Sequence, residues 1–192
     1  ISAADLNTIA GLTTGVVTAT LDATTAITDT NVTTSLSNVN GESGNDVISL
    51  TSTVTTADAT ALVALAGKVA TADAKAFASV TTITEAGADV TAAGANVVAA
   101  LNIAGNDAAV NITGTISAVS LDAIANATSK VVTAALAANT EISDATVTAL
   151  SHVNAADVIS LTSTETTADA SALVALAAKV DTLTVSTSVI TI

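Results

Sequence analysis

Aromatic and sulfur-containing side chains are almost missing from this chain of 192 residues. It has a single aromatic residue, Phe77, and no Cys, Met, Pro, Trp or Tyr, although 50% of its residues are apolar. Without cysteine, disulfides and thiolate metal sites are excluded. A globular core of this length normally uses aromatic side chains to fill its larger gaps. The remaining Ala, Val, Ile and Leu therefore favour thin, regular layers that are stacked many times.

Positive charge is also scarce. Four Lys, no Arg and 17 acidic residues give a formal net charge of -13. Nucleic acids and anionic membranes bind clustered Lys and Arg, so we expect neither as a partner. The longest apolar stretch, ALVALAGKVA, is interrupted by Lys68 and is shorter than the roughly 18 to 20 residues that span a bilayer. We expect no membrane insertion. With no initiator Met and no signal peptide, the chain is predicted to be a fragment of a longer protein.

One segment of 24 residues occurs twice. DVISLTSTVTTADATALVALAGKV at 46–69 returns as DVISLTSTETTADASALVALAAKV at 157–180, with 21 identical positions. The similarity extends towards the N-terminus, so that residues 1–69 (the first copy) are repeated by residues 116–180 (the second copy). A chain built by copying stacks its copies and does not build one unique catalytic cleft.

The repeats predict a fold class. In each half unit the hydrophobic period changes from 2 to about 3.6, as it does where a strand is followed by a helix. Strands connected through helices are expected to be parallel, with right-handed crossovers. The prediction is an α/β repeat solenoid of parallel strands alternating with short Ala-rich helices, forming one array over residues 1–192. Its units are 1–54, 55–115, 116–165 and an incomplete 166–192.

The segments SAADLNTI, TTGVVTAT, TTAITDT and TTITEAGADV are rich in Ala, Thr and Asp. They resemble the repeats of very large secreted surface proteins of cyanobacteria and other aquatic bacteria, described as hemolysin-type, adhesin-like or surface-layer proteins. The resemblance covers nearly the whole chain, through composition and short degenerate motifs. It implies an extracellular, structural or adhesive role and carries no catalytic residues across. The calcium-binding nonapeptide G-G-x-G-x-D of many such proteins is absent here.

Six charged residues lie at predicted helix ends. Three segments of the form S/T-x-x-D precede apolar helical runs, namely Ser2 to Asp5, Thr55 to Asp58 and Thr166 to Asp169. In each, the hydroxyl is expected to accept from a free backbone N–H, and the carboxylate to stabilise the positive end of the helix. Three lysines lie at the opposite helix ends, namely Lys68, Lys130 and Lys179. The charges are therefore predicted to be structural.

Calcium binding is the alternative role for the carboxylates. Calcium takes six to eight oxygen ligands in irregular geometry. Asp46 and Asp157 precede matching strands, and Glu42, Asn45 and Asn154 lie close to them in sequence. The candidate metal ligands are Asp46, Asp157 and Glu42, although no EF-hand spacing or repeated Asp/Gly loop accompanies them. Apart from calcium, no cofactor is expected.

Catalysis is not expected. His152 is the only histidine, and the first copy has Asn38 in its place, so we predict a surface helix residue. A catalytic or metal-binding histidine needs partners, and the chain offers neither a cysteine nor a second histidine. No G-x-S-x-G elbow is present, and the turns GESGND and AGND lack the phosphate-loop patterns. The chain is predicted not to be an enzyme.

Threonine suggests a binding module as an alternative function. Threonines recur with strand periodicity in TST, VTTIT and TLTVSTS. On parallel strands about 4.8 Å apart, such hydroxyls would form a flat lattice for ice or a crystalline polysaccharide. Threonine is also an ordinary strand residue whose methyl group packs and whose hydroxyl faces water. Its positions drift between the copies, which favours this ordinary role.

The ends of the chain favour assembly. Neither end resembles a polar capping repeat, and TLTVSTSVITI at 182–192 is suited to pairing with a further strand. The expected partners are other copies of the chain or neighbouring repeats of the same protein. The sequence thus predicts a structural segment of an extracellular bacterial surface protein that forms or extends a filament, surface layer or adhesin stalk.

Overall fold

A computed structural model describes residues 1–40, 46–69, 76–105 and 107–185. In these ranges the helices are α1 (Ala3–Gly11), α2 (Ala59–Ala66), α3 (Gly94–Ala104), α4 (Ala118–Ala127), α5 (Asp144–Ala149) and α6 (Ala170–Ala177), with a π-helix at Thr30–Thr34. The strands are β1 (Thr18–Thr20), β2 (Val47–Ser49), β3 (Thr56–Asp58), β4 (Thr82–Asp89), β5 (Ala109–Ile116), β6 (Val132–Leu136), β7 (Val158–Ser163) and β8 (Thr182–Val185). The predicted C-terminal strand run lies partly outside the described residues, from 186 onward.

The strands form two sheets. β1 and β2 pair in parallel, and β3 to β8 form a six-stranded sheet in chain order. The pairs β5–β6, β6–β7 and β7–β8 are parallel. Such pairs require a crossover connection, and α4, α5 and α6 lie in the segments that connect them. The α/β class with a mostly parallel sheet, predicted from the change of hydrophobic period, is confirmed.

The chain divides into two compact units. The first comprises Ile1–Ile83 with Ala99–Ala108, and the second comprises Thr84–Val98 with Ala109–Ile192. The first unit contains α1, α2 and β1 to β3, and the second contains β5 to β8 and α4 to α6. β4 and α3 contribute residues to both units.

The core of the second unit is built from aliphatic side chains. β6 buries Val132, Ala134 and Leu136 on one face, and α4, which contacts β6, buries Leu121 and Ile124. Each fully buried Leu, Ile or Val contributes about 1.5–3 kcal/mol relative to an exposed one. The first unit buries Leu6, Val17 and Leu21 at the positions of Leu121, Val132 and Leu136, whereas Ile9, the counterpart of Ile124, is exposed. The copying of the sequence therefore copies part of this core.

Two of the three S/T-x-x-D segments begin their helices later than predicted. Ser2 caps α1 as expected, because its Oγ accepts from the Asp5 N–H at 3.2 Å. In the other two segments the aspartate is itself the N-cap, and Asp58 and Asp169 accept from Ala61 and Ala172, each at 2.9 Å. The cause lies in the preceding residues, which are extended because Ala57 pairs with Ile27 in a parallel bridge.

The second helix of the unit differs between the copies. In the second copy, the Ser143 side chain caps α5 by accepting from the Thr146 N–H. In the first copy Thr28 occupies the position of Ser143, and the segment forms the five-residue π-helix. At its start the Asp29 side chain makes no capping hydrogen bond within the described residues. The segment therefore forms only this short π-helix in the first copy, where the second copy has α5.

A β-bulge lies in β5. The register between β5 and β6 shifts between Asn111 and Thr115, and Gly114 has φ +138°. A Cβ at Gly114 would lie 1.7 Å from the carbonyl oxygen of Gly87. Only glycine combines this backbone conformation with such a close approach of a neighbouring strand.

None of the helices in the described part of the chain has the length and apolar character that crossing a membrane requires.

Candidate functional site

The most prominent polar feature of the first unit is a buried aspartate at the start of β2. Asp46 is about nine-tenths buried, and its two oxygens accept from different backbone amides. Oδ1 accepts from the Val17 N–H at 2.8 Å, and Oδ2 accepts from the Asn40 N–H at 2.9 Å. Val17 precedes β1, so one carboxylate joins two neighbouring strand starts and the loop between them.

The second copy repeats these bonds. Asp157, at the start of β7, is also buried, and its oxygens accept from Val132 at 2.9 Å and from Asn154 at 3.0 Å. Asp46 and Asp157 both precede strands in the sequence, as predicted, but their carboxylates bind backbone N–H groups. Both oxygens of each carboxylate therefore have backbone partners.

Lys68 and Lys179 donate hydrogen bonds to backbone carbonyls next to the amides that these aspartates bind. Lys68 Nζ donates to the Val39 carbonyl at 2.8 Å, whereas Lys179 Nζ donates to the Leu150 carbonyl at 2.7 Å and the Val153 carbonyl at 3.4 Å. Both lysines lie directly after the C-caps of α2 and α6, at the helix ends where they were predicted. Their Nζ groups also bind carbonyls 26 to 29 residues earlier in the chain, which was not predicted.

In each copy a single peptide group is therefore held from both sides. Lys68 binds the carbonyl of Val39, and Asp46 binds the N–H of Asn40, which belongs to the same peptide. Burial lowers the pKa of Lys68 from its ordinary value of 10.5. We define this arrangement, with its counterpart at Asp157 and Lys179, as the Asp–Lys junction. The signal in the sequence was the retention of Asp and Lys at matching positions of both copies.

The candidate metal ligands do not come together as a cation site within the described residues. Asp46 and Asp157 have backbone partners, and Glu42 and Asn45 lie outside the described residues. No group of three or more His, Asp or Glu side chains with metal-binding geometry is found where the structure describes the chain.

His152 was predicted to be a surface residue on a helix. It lies after the end of α5 and not on a helix, and its side chain is half exposed. Its N–H donates to Asp122 Oδ1 at 2.6 Å, and its Nδ1 lies 2.8 Å from Asp122 Oδ2. Asn38 makes the matching backbone bond to Asn7 Oδ1 at 2.7 Å, which confirms that Asn38 is its counterpart. Asp122 and His152 in the second copy therefore take the places of Asn7 and Asn38 in the first copy.

Ser151, His152 and Asp122 form a cluster of the three residue types of a nucleophilic triad. Ser151 Oγ lies 3.2 Å from His152 Nδ1, and Asp122 Oδ2 lies 2.8 Å from the same nitrogen. In a triad the serine and the carboxylate bind opposite ring nitrogens, so that the histidine relays a proton between them. Both groups here compete for Nδ1, which does not provide that relay.

We expect the Asp122→Asn variant to show a weaker acid dependence of stability. Burial raises the pKa of Asp122, but hydrogen bonds from the His152 side chain and backbone and from Ser151 outweigh it, so the pKa lies below 3.8. The stability from this group is therefore present above pH 3.8 and is lost as the pH falls through the depressed pKa. Urea unfolding from pH 7 down to pH 2 measures it.

The double variant Asp122→Asn with His152→Asn is the matched control, because it installs the Asn7 and Asn38 pair of the first copy. It should fold with the same pH profile as the single variant. An unchanged acid dependence in both variants would contradict the role of this pair.

A shallow hollow of about 340 Å³ lies at the start of α6. It is lined in part by Glu141, Glu165 and Asp169. The first copy has Ala26 and Val54 at the positions of the two glutamates, so this acidic surface occurs only in the second copy.

The helix caps Asp58 and Asp169 occupy matching positions but have pKa shifts of opposite direction. Burial and the nearby charge of Asp29 raise the pKa of Asp58, against an opposing hydrogen bond from Ala61. Hydrogen bonds from the Ser171 hydroxyl and the Ala172 N–H lower the pKa of Asp169. Ionisation of Asp58 therefore destabilises the fold, whereas ionisation of Asp169 stabilises it.

Asparagine at these two caps is expected to have opposite effects at pH 7. It retains the capping oxygen and removes the charge. Asp58→Asn should raise the melting temperature by about 1–2 °C, and Asp169→Asn should lower it. The Asp58 effect disappears as the pH falls through its raised pKa, because the wild-type carboxyl is then neutral. Shifts of the same sign in both variants would contradict the assignment.

Two threonines at matching positions, Thr53 and Thr164, bind neighbouring segments that follow β1 and β6. Thr53 donates through both its N–H and its Oγ1 to the Ala23 carbonyl, and Thr164 does the same to Ala138. Across β7 and β8, Thr162 is paired with Thr184, but other rows of the paired strands mix residue types. One such row runs from Thr115 through Ala135 and Ser160 to Thr182. These rows do not form the regular hydroxyl lattice that the binding alternative requires.

Comparison with known proteins gives no relative from which a role could be transferred. No protein-family model, no curated protein sequence and no solved structure matches this chain.

Proposed function

We propose that this chain is a structural repeat segment of an extracellular bacterial surface protein, which forms or extends a filament, a surface layer or an adhesin stalk. In this proposal the strand–helix half units stack as successive coils of a right-handed solenoid. The chain has no enzymatic role, and its partners are neighbouring repeats or other copies of itself.

The observation that supports this proposal is the Asp–Lys junction. Both copies place a buried carboxylate and a lysine at the same peptide group, and their bonds join residues up to 29 positions apart. A buried charged group is costly unless it is fully hydrogen-bonded. Two copies retain this arrangement, as expected if selection acts on the cohesion of successive half units.

The buried polar residues support the same role. In the described residues they are Asp46, Ser52, Glu85, Thr146, Asp157 and Ser163. Within that part of the chain no buried side-chain N or O atom is without a hydrogen-bond partner. For example, Ser52 and Ser163 occupy matching positions and accept from Val54 and Glu165. The side chains of Asp46, Asp157, Ser52 and Ser163 thus bind backbone N–H groups.

The location is proposed from the resemblance to repeats of large secreted surface proteins and from the charge. A net charge of -13 with few cations keeps copies soluble and repels nucleic acid. The test uses antibodies raised against this chain on intact cells of the source organism. We expect labelling of intact cells and its loss after brief protease treatment. Labelling only after permeabilisation would contradict an extracellular role.

A further inference from the structure

We draw no further inference here: the strongest candidate, the exposed sheet face at the starts of β6 and β7, where Val131 and Val158 are 40% and 47% exposed, carries none because nothing in the described part of the chain shows what covers it.

Discussion

A Gly114→Ala variant is expected to lose at least about 4 kcal/mol of unfolding free energy, because two penalties act at one position. At φ +138° an L-residue is strained, which costs about 1–3 kcal/mol. The new Cβ would also lie 1.7 Å from the Gly87 carbonyl oxygen, so β4 and β5 would have to separate. The backbone on both sides is paired and has little freedom to move. Denaturant unfolding measures the loss.

Gly105→Ala separates the two penalties. Gly105 also has positive φ, at +89°, but among the described residues no heavy atom beyond its chain neighbours lies within 4 Å of a Cβ built there. This variant should lose only the strain energy, about 1–3 kcal/mol. Equal losses at both glycines would show that the contact between β4 and β5 is looser than described.

The Asp157→Asn variant is expected to lose about 2–4 kcal/mol. The substitution keeps the size of the side chain but replaces one acceptor oxygen by an NH₂ group. The Val132 and Asn154 N–H groups both need acceptors at this buried position, so one of them would face a donor. Loss of a charged acceptor and an unsatisfied buried N–H account for the expected size.

Asp181→Asn is the matched control, because Asp181 also precedes a strand of the same sheet but is exposed. Its carboxylate has one long contact of 3.5 Å, from Thr182 Oγ1. Urea unfolding should therefore show a change of less than about 0.5 kcal/mol in this variant. If Asp157→Asn were as mild, the buried carboxylate would not stabilise the junction.

Much of the fold follows from local patterns in the sequence. The change of period in VISL and ALVALA predicted β2, β7 and the helices that follow them, and parallel pairing followed from the helical connections. Ser2 was identified as a cap because the capping residue and its partner Asp5 are only three positions apart. Such features depend on neighbouring residues, which a single sequence displays directly.

The Asp–Lys junction was not predicted, because its partners are distant in sequence. The carboxylate of Asp46 accepts from Val17, 29 residues earlier, and backbone N–H groups carry no signature in the sequence. The positions of Asp46 and Asp157 before strands were recognised, but calcium was the role considered. The late start of α2 was missed for the same reason, since the bridge from Ala57 to Ile27 is a long-range contact.

Electron microscopy of the purified native material, combined with fibre diffraction and repeated with a calcium chelator, tests the central claim most directly. The claim is that the half units stack into a structural array held by hydrogen bonds. We predict ordered fibres or sheets with a spacing of about 4.8 Å between stacked strands, unchanged by the chelator. Isolated particles without that spacing would contradict the stacked array, and loss of order on chelation would contradict hydrogen bonds as its basis.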